Sequence, residues 1–204
     1  MTIIGVTGGS GSGKSLFCQQ LGELCQAPVI DADQVYHALI STPSACTAAL
    51  AEAFGDSIVN DDGSLNRPRL ASLVFGGDKA AKVRLSTLNG IAHQFVRQSF
   101  EEQLEAYRKS EAETVILDVP LLFEAHFDEL CHYTVSVLAD YEARLARIMA
   151  RDSLQQEAAR CRIDAQPNDD FYRKRSHFTV YNNGEAGSMQ KEAELIARQI
   201  GLLR

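Results

Sequence analysis

The sequence predicts an α/β doubly wound fold: a mostly parallel five-stranded sheet, a helical insertion and a second, charge-rich helical segment. Three observations carry this. Short, continuous apolar runs recur, as expected of strands covered by helices on both faces. Helical patterns separate those runs, and strands alternating with helices build a doubly wound sheet. One gap, roughly residues 34 to 110, is too long for a single crossover and is mostly helical in pattern.

The strands come in order. "TIIGV" (2–6), "PVI" (28–30), "TVILDV" (114–119), "YTVSVL" (133–138) and "FTVY" (178–181) are short and apolar. Between them, residues 14–26 and 140–151 have helical patterns, the second with Leu145, Ile148 and Met149 on one side. Ser153 and Gln156 in "SLQQ" match a capping box and predict the start of a further helix. In the tail, 189–203, Leu195, Ile196, Ile200 and Leu203 fall at helical spacing. Within the long gap, Leu88, Ile91, Ala92, Phe95, Val96, Phe100 and Leu104 form one amphipathic stripe. The expected organisation is one domain over 1–204: a core of 1–33, 111–140 and 176–204, an insertion over 34–110, and the charge-rich segment 141–175.

Composition narrows the function classes. The chain has 204 residues, 45% hydrophobic and 23% charged, enough for a core without disulfides. Its net charge of −7 argues against nonspecific nucleic-acid binding, which runs on excess Lys and Arg. The five cysteines are odd in number and lack CxxC spacing, so no metal or redox motif is expected. No signal peptide pattern and no run of membrane-spanning length is apparent, and a reducing cytoplasm fits.

"GGSGSGKS" fits G-x-x-x-x-G-K-[ST], with Gly8, Gly13, Lys14 and Ser15 at the defining positions. A strand ends there, the chain wraps around a phosphate, and a helix begins. The wrap needs several backbone N–H groups aimed inward, which glycine-rich chain reaches without Cβ clashes. The helix N-terminus adds partial positive charge. Lys14 is expected at the β- and γ-phosphates of ATP and the Ser15 hydroxyl on Mg²⁺. A glycine-rich turn with a solvent lysine would be the bland alternative, but the strand before and the amphipathic helix after favour the nucleotide.

The next strand ends in "IDAD". Ligands of a doubly wound sheet sit at the carboxyl ends of its strands, so Asp31 and Asp33 are candidates for a base taking a proton from an attacking hydroxyl. The competing reading is that one of them caps the helix starting near Gln34. Asp118 ends strand three and could hold Mg²⁺ through water, or mark a strand exit stopped by Pro120. Arg144, Arg147 and Arg151 share one helix face. They are either a solvated face or movable arginines that neutralise the phosphoryl group in flight. The five histidines have no metal-ligand spacing, and only His93 is assigned a substrate role.

Together these residues resemble the dephospho-coenzyme A kinase family over nearly the whole chain. The resemblance rests on "GVTGGSGSGKS", "VIDAD" and "DDGSLNRPRLASLVF", then "DVPLLFE", "RLARIMARDS" leading to Gln166, and "VYNNG". It implies a P-loop NTPase core, a helical CoA-binding insertion (34–110) and an arginine-bearing lid (141–175). The implied reaction is transfer of the ATP γ-phosphate to the ribose 3′-hydroxyl of dephospho-CoA, with ATP and Mg²⁺ required and no nucleic acid or membrane. It further implies Asp33 as base, with Lys14, Arg147 and Arg151 catalytic. Gly8, Gly9, Gly11, Ser12, Gly13, Lys14, Ser15, Leu16 and Asn182 would bind the nucleotide. Asp31, Asp33, His93, Leu121 and Leu122 would bind the acceptor, and Ser15 with Asp118 the metal. The chain departs from the family pattern at Ser10, Leu16, Gln94 and Ser176-His177. Alternative readings are a P-loop kinase of nucleosides or nucleoside monophosphates, or a nucleotide-dependent regulatory switch.

Overall fold

A computed structural model describes residues 1–75, 79–184 and 187–203. Positions 76–78 of the predicted insertion, and 185, 186 and 204 of the predicted core, lie outside the described residues. Five strands, β1 (Thr2–Thr7), β2 (Val29–Asp31), β3 (Thr114–Asp118), β4 (Tyr133–Leu138) and β5 (Phe178–Tyr181), form one parallel sheet in the order β2-β3-β1-β4-β5. β1 and β3 are buried on both faces, which is why their sequences are continuous apolar runs rather than alternating ones. Ile4, Val6, Ile116, Val135 and Val180 pack there with Phe17 and Leu21 of α1 (Lys14–Cys25) and Ala193 and Ile196 of α9 (Ser188–Ile200).

Strand order creates the site. The chain leaves β1 to one side for β2, returns to β3 beside β1, then crosses to β4 on the other side. A doubly wound sheet opens a crevice at the carboxyl ends where the order reverses. Register brings Asp118 opposite Val6 of β1 and opposite Asp31 of β2.

The chain divides into two compact units, one of Met1–Asp31 with Tyr107–Arg204 and one of Ala32–Ala106. The second is helical: α2 (Ala32–Ile40), α3 (Ala45–Phe54), α4 (Arg67–Val74) and most of α5 (Lys79–Lys109). Its core is Ile40, Cys46, Leu50, Ile58, Leu65, Leu70 and Val74, against which Leu88, Ile91 and Phe95 of the predicted stripe pack. Ser44 caps α3 in a reciprocal capping box with Thr47. Gly63 stands at φ 79 in the turn between Asn60 and Ser64, where Asp62 accepts from the Ser64 N–H and hydroxyl. Asn66 then caps α4. The "DGSLNR" string is therefore a turn followed by a helix cap.

Two expectations are corrected. Asp33 does not end a strand: α2 follows β2 without a connecting residue and Asp33 lies in its first turn, where the helix dipole favours an acid. Ser153 does not open a helix: at φ 53 it closes α6 (Tyr141–Asp152), and α7 (Gln156–Asp164) starts after Gln155 with no side-chain cap. Ser153 stands too early to cap α7, whose N-cap position is taken by Gln155 in extended backbone.

Burial also sorts the cysteines. It pushes the Cys18 and Cys131 thiols up to about 12, whereas Cys161 is exposed. Only thiolate reacts with alkylating reagents. Iodoacetamide at neutral pH is therefore expected to label Cys161 in the folded protein, and Cys18 and Cys131 only after denaturation, as read by peptide mass spectrometry. Early labelling of Cys18 would contradict its place on the buried face of α1.

Candidate active site

The phosphate loop lies between β1 and α1. Its turn is closed by Ser12 N–H donating to Gly9 O at 3.1 Å. Gly11 (φ 79) and Gly13 (φ 94) hold left-handed backbone that a side chain would strain. A Cβ on Gly11 would also stand 2.7 Å from the Arg144 carbonyl oxygen. Gly13 is the N-cap residue of α1, so the loop ends where the helix N–H groups and dipole face outward. Ser12 is buried, and its Oγ has no hydrogen-bond partner among the described residues. An orphaned buried hydroxyl in this loop matches a site that a ligand completes. Ser15 and Leu16, in the first turn of α1, are exposed.

Lys14 Nζ meets Asp118 Oδ1, joining the start of α1 to the carboxyl end of β3. Both side chains are largely buried. Asp31 ends β2 directly across from Asp118. Beyond β3, Thr7 Oγ1 donates to Pro120 O at 3.0 Å and ties the strand exit to β1. Leu121 is exposed there, whereas Leu122 is fully buried over Gly5. Burial raises the Glu124 carboxyl above its ordinary range.

The α6 arginines occupy three different environments. Arg144 is 6% exposed; its Nε donates to Ser10 O at 2.9 Å and its Nη2 to Gln166 Oε1 at 2.7 Å. The same Gln166 oxygen accepts the Ser10 N–H at 2.8 Å. Arg147 donates through Nη1 to Gly11 O at 3.1 Å and through Nη2 to Asn182 O at 3.0 Å. Asn182 Nδ2 in turn donates to Ser12 O at 2.8 Å. Arg151 lies at the end of α6, paired with Asp152, which also receives Arg162.

So the structure brings together Gly8 to Ser15, Asp118, Arg147 and Asn182, with Asp31 at the neighbouring strand end. It places Arg151 on a separate surface cluster. Asp33 and His93 belong to the helical unit, in α2 and α5 respectively. Desolvation lowers the pKa of His93. α5 continues unbroken through His93 and Gln94. The departure at Ser176-His177 is absorbed by β4: His177 Nδ1 accepts the Thr134 N–H at 3.1 Å, and Ser176 Oγ meets Ser136 Oγ. Arg144 was weighed only as one of three arginines on a shared face and was given no role of its own. Its only signal was its place three residues before Arg147.

The family model described as dephospho-CoA kinase matches residues 2–188. A relative from Lactobacillus johnsonii, named dephospho-CoA kinase, is 33% identical over 97% of this chain and 98% of its own. The crystal structure of TT1252 from Thermus thermophilus is 32% identical, with a TM-score of 0.79 over 98% of this chain and 97% of that one. A dephospho-CoA kinase from Campylobacter jejuni, 23% identical with a TM-score of 0.61 over 98% of this chain and 97% of that one, shares the fold.

Proposed function

This chain belongs to the dephospho-CoA kinase family, and from that premise we propose that it transfers the γ-phosphate of ATP to the ribose 3′-hydroxyl of dephospho-CoA, giving coenzyme A and ADP. One observation supports this acceptor above others. The family match spans residues 2–188, and so takes in the helical unit, α6, α7 and α8 (Asp169–Arg175) as well as the phosphate loop that many kinases share.

The loop amides and the α1 N-terminus hold the β- and γ-phosphates, and Lys14 turns from Asp118 to their oxygens. Asp33 takes the proton of the acceptor hydroxyl, with Asp31 orienting it. His93 and Leu121 contact the acceptor, and Leu122 supports Leu121 from the core. Arg147 and Arg151 serve the phosphoryl group from the segment 141–175, which acts as a lid. Mg²⁺ takes hard oxygen donors, one or two from the protein and the rest from phosphates and water. The Ser15 hydroxyl and the buried Asp118 carboxylate fit that chemistry and would hold it. When bound, Mg²⁺ neutralises charge on the β- and γ-oxygens. We place the reaction in the cytoplasm. No described helix is long and apolar enough to cross a membrane.

The test is ADP release with ATP and Mg²⁺, with and without dephospho-CoA. Strong stimulation by dephospho-CoA is expected. Stimulation by a nucleoside or nucleoside monophosphate instead would establish the alternative kinase. Slow hydrolysis that no small acceptor accelerates would indicate a switch.

A further inference from the structure

We propose that Arg144 and Gln166 are positioning residues for the nucleotide, acting from the outer side of the phosphate loop on the direction of its N–H groups. This deepens the kinase reading above and rests on it. A trans peptide carries its C=O and the following N–H on opposite sides of one rigid plane. Whatever holds the carbonyl outward therefore aims the next amide inward. Arg144 holds the Ser10 carbonyl, which sets the Gly11 N–H. Asn182 and, at 3.5 Å, Arg147 hold the Ser12 carbonyl, which sets the Gly13 N–H. Gly11 and Gly13 are, with Gly8, loop residues at positive φ, where backbone without a Cβ has the most freedom.

The Arg144 guanidinium is kept in place by Gln166, whose single Oε1 accepts from Arg144 Nη2 and from the Ser10 N–H. Ser10 is thus gripped in two successive peptide planes, at its N–H by Gln166 and at its C=O by Arg144, which are themselves hydrogen-bonded. Gly9 makes room for it: a Cβ there would stand 2.8 Å from Arg144 Cζ. A buried arginine donating to a backbone carbonyl and a glutamine oxygen is not placed to meet a phosphate. It pre-orients the amides that do, so its effect falls on binding of the β-phosphate, in ground and transition state alike.

The experiment is titration calorimetry of ADP and AMP, with steady-state kinetics alongside, on Gln166→Ala, Gln166→Glu and Arg144→Lys. Gln166 is half-buried in a loop, so its variants spare the core if Arg144→Lys fails to fold. Gln166→Ala is expected to weaken ADP binding and raise KM for ATP about tenfold, the scale of one charge-assisted hydrogen bond, with kcat within about twofold. AMP, lacking the β-phosphate, should bind as before. Gln166→Glu keeps the acceptor oxygen and should restore ADP affinity. Equal ADP affinity in Gln166→Ala and wild type would overturn the proposal. So would a loss confined to kcat, which would put this pair on the transferred group instead. ADP binding needs no acceptor, so a wrong acceptor would appear only in the turnover assay.

Discussion

Lys14→Ala is expected to lower turnover by about 10²- to 10³-fold, the cost of removing one charged donor from a water-excluded site. ATP affinity should fall with it, because the same ammonium serves the bound phosphates before and during transfer. The variant carries a second cost. Lys14 Nζ meets Asp118, and that carboxylate is only 3% exposed. Taking one partner from a buried pair costs about 3–5 kcal/mol, so the melting temperature should drop by about 10 °C. The two effects separate in the double variant Lys14→Ala/Asp118→Asn. A neutral amide tolerates burial, so stability should return while turnover does not. Calorimetry showing unchanged ATP affinity, together with a wild-type rate in folded protein, would remove Lys14 from phosphate binding.

Asp33→Asn should lower turnover by about 10²- to 10⁴-fold, the usual cost of losing a general base. Asparagine keeps the size and polarity but cannot take the proton of the acceptor hydroxyl. Loose phosphoryl transfer needs less base assistance, so the lower end of that range is the firmer expectation. In the first turn of α2 the lost charge weakens a favourable helix-dipole interaction by only about 0.3–1 kcal/mol, so melting should shift by a few degrees at most. ATP affinity should hold. A stable Asp33→Asn protein with wild-type turnover would move the base role to Asp31, which ends β2 opposite Asp118.

The sheet and the phosphate loop are legible in the amino-acid order. Strands buried on both faces must be apolar throughout, so "TVILD" and "YTVSVL" mark β3 and β4 with little ambiguity. The loop is legible for a similar reason: its conformation depends on glycines within one short stretch, and their spacing is visible directly. The helical run behind Leu88 to Leu104 was equally plain, because a 3.6-residue period persists over many turns.

Tertiary structure alone decided which charges do what. Arg144, Arg147 and Arg151 look equivalent on one helix face, since sequence spacing records only neighbours on the same element. Loop carbonyls more than a hundred residues away hold Arg144 and Arg147, while Arg151 turns to Asp152 beside it. The Lys14–Asp118 pair likewise exists because parallel register sets β3 beside β1. The end of β2 shows the same limit at short range. "IDAD" reads as a strand terminus carrying two acids, yet α2 begins at Ala32, because a strand and a helix can join without a turn residue to announce it. Local pattern specifies local backbone; which buried polar groups meet is settled by packing, where every donor must find an acceptor.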